Sequence, residues 1–172
     1  MSASLEPVVR LMLLCDRVLP DPGNPGKLNV FGVVSAIIVD RDAIFPVHHP
    51  ELTAFVLLAG GRGEGEGRIV VVQADTDAPA FSSIGHALTF GNDPLALHGR
   101  SFRILDCLFP VPGLYWVEFR YNGKMLARQP LEVRVRVQTS GIRTRPGCSS
   151  RRLPRVCGQS RNQRNKTRDG LV

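Results

Sequence analysis

The tightest constraint on what this chain can fold into is residues 109–137, FPVPGLYWVEFRYNGKMLARQPLEVRVRV. Tyr115, Val117, Phe119 and Tyr121 alternate with Trp116, Glu118 and Arg120, the period of two expected of a strand with one face in a core. Asn122-Gly123 follows, and an Asn-Gly pair between two strand-like runs signals a type I′ hairpin, because that turn needs positive φ at both central residues. Counting outward from the turn sets Phe119 opposite Leu126, a cross-strand pair on the buried face. After Arg128 the apolar set resumes at Leu131, Val133, Val135 and Val137, so its parity moves from even to odd positions. This predicts a one-residue β-bulge, placed near Pro130, where a missing N–H does least harm.

The 172 residues suit a single domain, and 43% of them are hydrophobic, enough for one core. The net charge of +7 would suggest nucleic acid or an acidic membrane if it covered a folded surface. It does not. Residues 139–172 hold nine basic residues (Arg143, Arg145, Arg151, Arg152, Arg155, Arg161, Arg164, Lys166 and Arg168) against Asp169, a net of +8, so residues 1–138 carry a net of −1. The basic segment lacks periodicity and large apolar groups and is rich in Arg, Ser, Asn and Gln, so disorder is expected of it. The domain division is therefore 1–138 for the folded part and 139–172 for an Arg-rich tail.

Cys15, Cys107, Cys148 and Cys157 form no CxxC and have no close Cys/His spacing, which argues against zinc. Cys15 and Cys107 lie in apolar strand-like runs and read as small buried hydrophobes. Residues 11–14 are apolar, but Arg10 interrupts the run and no basic n-region precedes it, so a signal peptide is not expected. No run approaches the roughly 20 apolar residues of a membrane-spanning helix. The default location is the cytoplasm.

From the start of the chain, a first strand is expected over residues 8–15, ending at Asp16, with a Gly/Pro loop over residues 21–26. Residues 28–39 are apolar on both parities, as in one central strand or a strand whose second face is covered by a partner, with Gly32 as a bulge. Residues 43–50 are long enough to cross between sheets. Residues 51–59 and 68–75 read as a strand pair around the glycine-rich residues 60–67. A weaker pair has Ile84, His86, Leu88 and Phe90 on one face. Residues 100–109 form the strand before the hairpin, with Phe102, Ile104 and Leu108 on one face and Leu105, Cys107 and Phe109 on the other. About eight strands and no amphipathic helix of ten residues predict an all-β protein, a two-sheet antiparallel β-sandwich of Ig-like or Greek-key type. Gly113-Leu114-Tyr115 at a strand entrance fits either a tyrosine corner or simply an aromatic on the core face.

Several stretches also carry a likeness: Leu14-Cys15-Asp16, Gly26-Lys27-Leu28-Asn29-Val30-Phe31-Gly32-Val33, Phe45-Pro46 with His48-His49-Pro50, Pro112-Gly113-Leu114-Tyr115, Asn122-Gly123-Lys124 and Pro130-Leu131-Glu132-Val133. On these, residues 11–135 resemble a family of short bacterial proteins classed as a domain of unknown function. The resemblance implies a β-sandwich and carries no activity, cofactor or catalytic residue. The extension beyond residue 137 departs from that pattern, and it also has the composition that a shifted reading frame of a GC-rich gene yields.

Candidate chemistry is sparse. Residues 60–67 lack the Gly-Lys-Ser/Thr of a P-loop and carry two glutamates, so they read as a flexible hairpin and not a phosphate cradle. His48 and His49 are adjacent, so on an extended chain they point apart. His86 and His98 have no supporting carboxylate at a recognisable spacing, and no metal site is expected. Asp75-Thr76-Asp77 lacks the glycine of an Asp-Thr-Gly catalytic motif. Ser82-Ser83 beside His86 lacks a nucleophile elbow. Trp116 shares the outer strand face with Glu118 and Arg120, a pairing of aromatic and charged groups favoured at interfaces, unless a loop of its own chain covers it.

The expectation is a non-enzymatic cytoplasmic protein-interaction or scaffolding module without cofactor. It would bind a protein partner or itself through an outer face or edge, around Trp116, Glu118 and Arg120 or around residues 28–39. The alternative is nonspecific nucleic-acid association through Arg143, Arg145, Arg151, Arg152 and Arg155, weak and salt-sensitive, with no aromatic platform for single strands.

Overall fold

The computed structural model describes residues 5–136; the basic segment 139–172 lies outside the described residues. Ten strands succeed one another: β1 (Val8–Asp21), β2 (Asn24–Val33), β3 (Ala36–Val39), β4 (Val47–Ala59), β5 (Gly63–Gln73), β6 (Pro79–Ser82), β7 (His86–Phe90), β8 (Leu97–Phe109), β9 (Gly113–Tyr121) and β10 (Lys124–Val135). The expected two-sheet sandwich is present, with ten strands in place of about eight. One sheet has the order β2-β1-β4-β8, and the other β3-β10-β9-β5-β6 with β7 also paired to β5. All pairings are antiparallel except β3 with β10, which is parallel.

The hairpin β9–β10 organises the six-stranded sheet. Asn122 and Gly123 have φ of 47° and 83°, the left-handed pair a type I′ turn requires. Tyr115, Val117, Phe119 and Tyr121 are all buried, and they meet Met12, Leu14, Leu52, Ala54, Val56, Phe102 and Ile104 of the opposite sheet in one core. The expected bulge exists but lies elsewhere. The register shifts between Met125 and Ala127, so Phe119 faces Ala127 and not Leu126, while Pro130 sits in regular register opposite Trp116. Pro130 is tolerated there because β3 reaches only Glu132 to Val135, leaving the other edge of β10 free of a ladder at that point.

The apolar run 28–39 is not one strand. Gly32 has φ of 61°, a backbone state that costs a residue with a Cβ. Val34 N–H donates to the Leu14 carbonyl at 2.8 Å, and the chain then leaves the four-stranded sheet as β2 and enters the six-stranded sheet as β3. Ile37 and Val39 go into the core. Residues 43–50 cross back as expected, delivering β4 to the first sheet. β1 runs past the expected stop at Asp16 to Asp21, and the loop expected over residues 21–26 is shorter in fact, because β2 resumes at Asn24.

Residues 51–59 and 68–75 do not pair. β4 and β5 lie in different sheets, and the glycine-rich stretch is mostly strand β5, paired with β7. Its glycines make room for aromatic rings: a Cβ on Gly65 would overlap Tyr121, and one on Gly67 would approach Leu88 at 2.7 Å and Phe119 at 3.0 Å. In β8 the faces also differ from expectation. Phe102, Ile104, Cys107 and Phe109 are buried, while Leu105 and Leu108 are exposed. The parity reverses at Asp106, which has φ of 53°.

Candidate functional site

Trp116, Glu118 and Arg120 lie on the outer face of the six-stranded sheet, on the parity opposite the tyrosines of β9. In register beside them are Val72, Val70 and Arg68 of β5 and Pro130, Arg128 and Met125 of β10. Glu118 is buried although it faces away from the core. Its Oε2 accepts from Arg120 Nε at 3.0 Å and Nη2 at 2.7 Å, a two-pronged contact that offsets the loss of water. The Arg128 guanidinium lies over the Trp116 ring at 4.3 Å from the centroid, a cation–π stack. Trp116 is thus half-buried under an arginine of its own chain. Arg128 reaches it because the bulge at Leu126 restores outward parity to residue 128.

The outer face of the four-stranded sheet is more apolar. Cys15, Phe55 and Ala59 are buried there yet lie outside the central core. Part of their cover comes from the arm that β1 and β2 form beyond residue 15. β4 pairs with β1 only up to Cys15, whereas β2 pairs with β1 from Cys15 to Asp21. The arm curls over the sheet: Thr53 Oγ1 donates to the Asp16 carbonyl at 3.0 Å, and Leu28 flanks Gly99 of β8 together with Phe55. A groove of about 450 Å³ separates Gly26 and Leu28 of the arm from Phe55, Leu57, Leu97 and Gly99.

Along the arm, Leu19, Leu28, Val30, Phe31 and Val33 expose between 36% and 72% of their surface. Arg17 stacks on Phe31 at 5.1 Å. Of the four histidines, His48 pairs with Asp106 at 2.9 Å, while burial pushes the pKa of half-buried His49 down. His86 and His98 pack edge-on against Phe102 and Phe90. Among the described residues no three His, Cys, Asp or Glu side chains group as a metal site would require. Cys15 and Cys107 are free thiols in the interior, and burial pushes Cys107 up to about 12. Ser83 Oγ accepts from Ile69 N–H and donates to the Ile84 carbonyl, so it is a structural strut and not a free nucleophile. Tyr115 Oη donates to the Val111 carbonyl at 2.7 Å. That bond makes it a tyrosine corner.

Residues 10–134 match DUF6941, described as a family of unknown function. The chain belongs to that family. The matched span runs from within β1 to within β10, so it takes in both outer faces and the arm of the sandwich, and the DUF6941 match brings no activity with it. No curated protein matches the chain. Among the described residues no helix is long and apolar enough to cross a membrane. Arg143, Arg145, Arg151, Arg152 and Arg155 lie outside the described residues.

The sequence pointed to residues 28–39 for their apolarity but not to the arm, which exists because that run changes sheets. Arg128 drew no attention as a partner of Trp116, since the register that brings them together depends on where the bulge falls.

Proposed function

We propose that this is a non-enzymatic protein-interaction module of the cytoplasm that self-associates through the β1–β2 arm. The observation that carries the reading is the exposure of Leu28, Val30, Phe31 and Val33 on one short strand, with β1 as its only strand partner among the described residues. Side chains of this kind on an unpaired edge favour pairing with another strand, because association removes apolar surface from water and satisfies the free backbone groups together. A second copy offers the same edge, and two arms related by a two-fold axis can pair antiparallel. The two interior thiols are free, which suits a reducing compartment. The Trp116 face is less suited to be the principal contact, because Arg128 and Arg120 already occupy its aromatic and acidic groups.

Light scattering after size exclusion on the full chain tests this. A dimer or other discrete oligomer is expected, converted to monomer by Val33→Lys and by Val30→Lys, with Trp116→Ala leaving it intact. A monomer persisting to about 100 μM, a weak-complex concentration, would refute the reading. A duplex-dependent shift that fades with rising salt, without any oligomer, would transfer the function to the basic segment.

A further inference from the structure

A second recess lies where β8, at the margin of the four-stranded sheet, approaches the β6–β7 segment of the other sheet. It is an open cleft of about 430 Å³, within the range of small-molecule sites. Phe81, Ile84 and Leu105 give it an apolar wall, and Ile84 and Leu105 are exposed at 78% and 42%.

The polar lining is one-sided. Ser82, Ser101, His86 and Arg103 contribute hydroxyls, an imidazole and a guanidinium, and among the described residues no carboxylate lines the cleft. Arg103 is anchored from outside it, donating through Nε to Glu51 Oε1 at 2.9 Å. That bond uses one edge of the guanidinium and leaves its terminal nitrogens without a hydrogen-bond partner among the described residues. A planar fork fixed at its stem with its tips free is suited to hold a carboxylate through two parallel bonds. The His86 ring packs edge-to-face with Phe102, 5.3 Å between centroids, which limits its orientation.

We infer that this cleft is a binding site for a small amphipathic carboxylate, its head group on Arg103 and His86 and its apolar body against Phe81, Ile84 and Leu105. The site is separate from the β1–β2 arm and does not depend on self-association. The Glu51 carboxylate, held 2.9 Å from Arg103 Nε, repels an incoming carboxylate and offsets part of the guanidinium's charge. The two effects of charge therefore have opposite signs: removing Arg103 weakens binding, and neutralising Glu51 strengthens it.

The test is a two-dimensional amide NMR titration of the full chain with sodium octanoate, and with octan-1-ol as the uncharged counterpart. Saturable shifts confined to residues 81–86 and 101–105 are expected for octanoate, with octan-1-ol weaker by about tenfold, the value of one charge-assisted contact. Arg103→Gln should lose about tenfold and Glu51→Gln should gain two- to threefold, roughly the effect of one exposed carboxylate. Both variants are checked for retained spectral dispersion. Absence of saturable shifts at these residues up to about 5 mM octanoate, the weak limit for a specific site, would overturn the inference. So would equal affinity for octan-1-ol, or shifts centred on Leu28 and Leu97 instead.

Discussion

Arg120→Met tests whether Glu118 is a desolvated carboxylate or a surface acid that merely folds back. The Glu118 side chain is 10% exposed and that of Arg120 38%, so the two ends of the pair differ in what they lose when parted. Glu118→Gln removes a charge from the buried end, keeps an acceptor for Arg120, and lets the guanidinium turn to water, so it should cost only about 0.5–1 kcal/mol. Arg120→Met leaves the buried carboxylate without either of its two hydrogen bonds. The full penalty of stranding a buried charge is about 3–5 kcal/mol. Arg128, directly opposite Glu118, can swing from Trp116 to meet part of it, which brings the expected loss to about 2–3 kcal/mol. For a domain of this size that lowers Tm by roughly 8–12 °C. The double variant Glu118→Met with Arg120→Met places two flexible apolar side chains beside Val70 and should return to within about 1 kcal/mol of the parent. Urea unfolding monitored by Trp116 fluorescence compares the parent with these three variants. A loss below about 1 kcal/mol for Arg120→Met, or a double variant no better than the single, would refute the reasoning and make the pair an ordinary surface contact.

Three further outcomes follow from the packing. Tyr115→Phe removes the bond to the Val111 carbonyl; because Val111 is 41% exposed water can replace the hydroxyl in part, so urea unfolding should show a loss of about 1–2 kcal/mol. Since burial holds His49 below its ordinary 6.5, the native state resists protonation. The stability it contributes is present above about pH 6.5 and is lost as pH falls from there through the depressed folded value, and His49→Gln should flatten that part of the Tm–pH curve. Cys107, 1% exposed and raised to about 12, should resist iodoacetamide in the native protein at pH 8 and react on unfolding, as read by mass spectrometry.

Where a structural signal was local, the sequence carried it. The period of two in β9 and the Asn122-Gly123 turn lie within nine residues of each other, and both are realised as read. The bulge in β10 was legible as a parity change but not as a position, because any insertion between Met125 and Leu131 produces the same odd parity from Leu131 onward. The glycines of β5 were misread for a non-local reason: their small size accommodates Tyr121 and Phe119, which arrive from another strand. Doubly apolar residues 28–39 misled similarly, since one buried strand and two half-buried strands in different sheets have the same composition. Trp116, Glu118 and Arg120 were found by parity alone. The cleft beside β8 was not, because Arg103 and His86 belong to segments whose approach depends on how the two sheets meet.

The sheet switch itself rests on one residue. At φ of 61° Gly32 turns the chain so that β2 ends and β3 begins, and a Cβ there would overlap the Asp16 carboxylate. These two obstacles to substitution are separable. Asp16 is exposed and its carboxylate can rotate into water, whereas the backbone angle is fixed by the Val34 N–H bond to Leu14 and by the parallel pairing of β3 with β10. Conformation should therefore dominate. Gly32→Ala is expected to cost about 1–2 kcal/mol and Gly32→Val more, because a branched side chain tolerates the left-handed region least. Asp16→Ala should not rescue Gly32→Ala, so the two changes should add within about 0.5 kcal/mol. Hydrogen exchange supplies a local readout: the Val34 amide should lose protection in Gly32→Ala while the amides of Val117 and Phe119 retain theirs. Full rescue by Asp16→Ala would show that the overlap and not the angle selects glycine, and that the turn is pliable. Undiminished protection of Val34 would show that the switch is held by the strands on either side of it, in which case the arm inherits its position from β3 and not from Gly32.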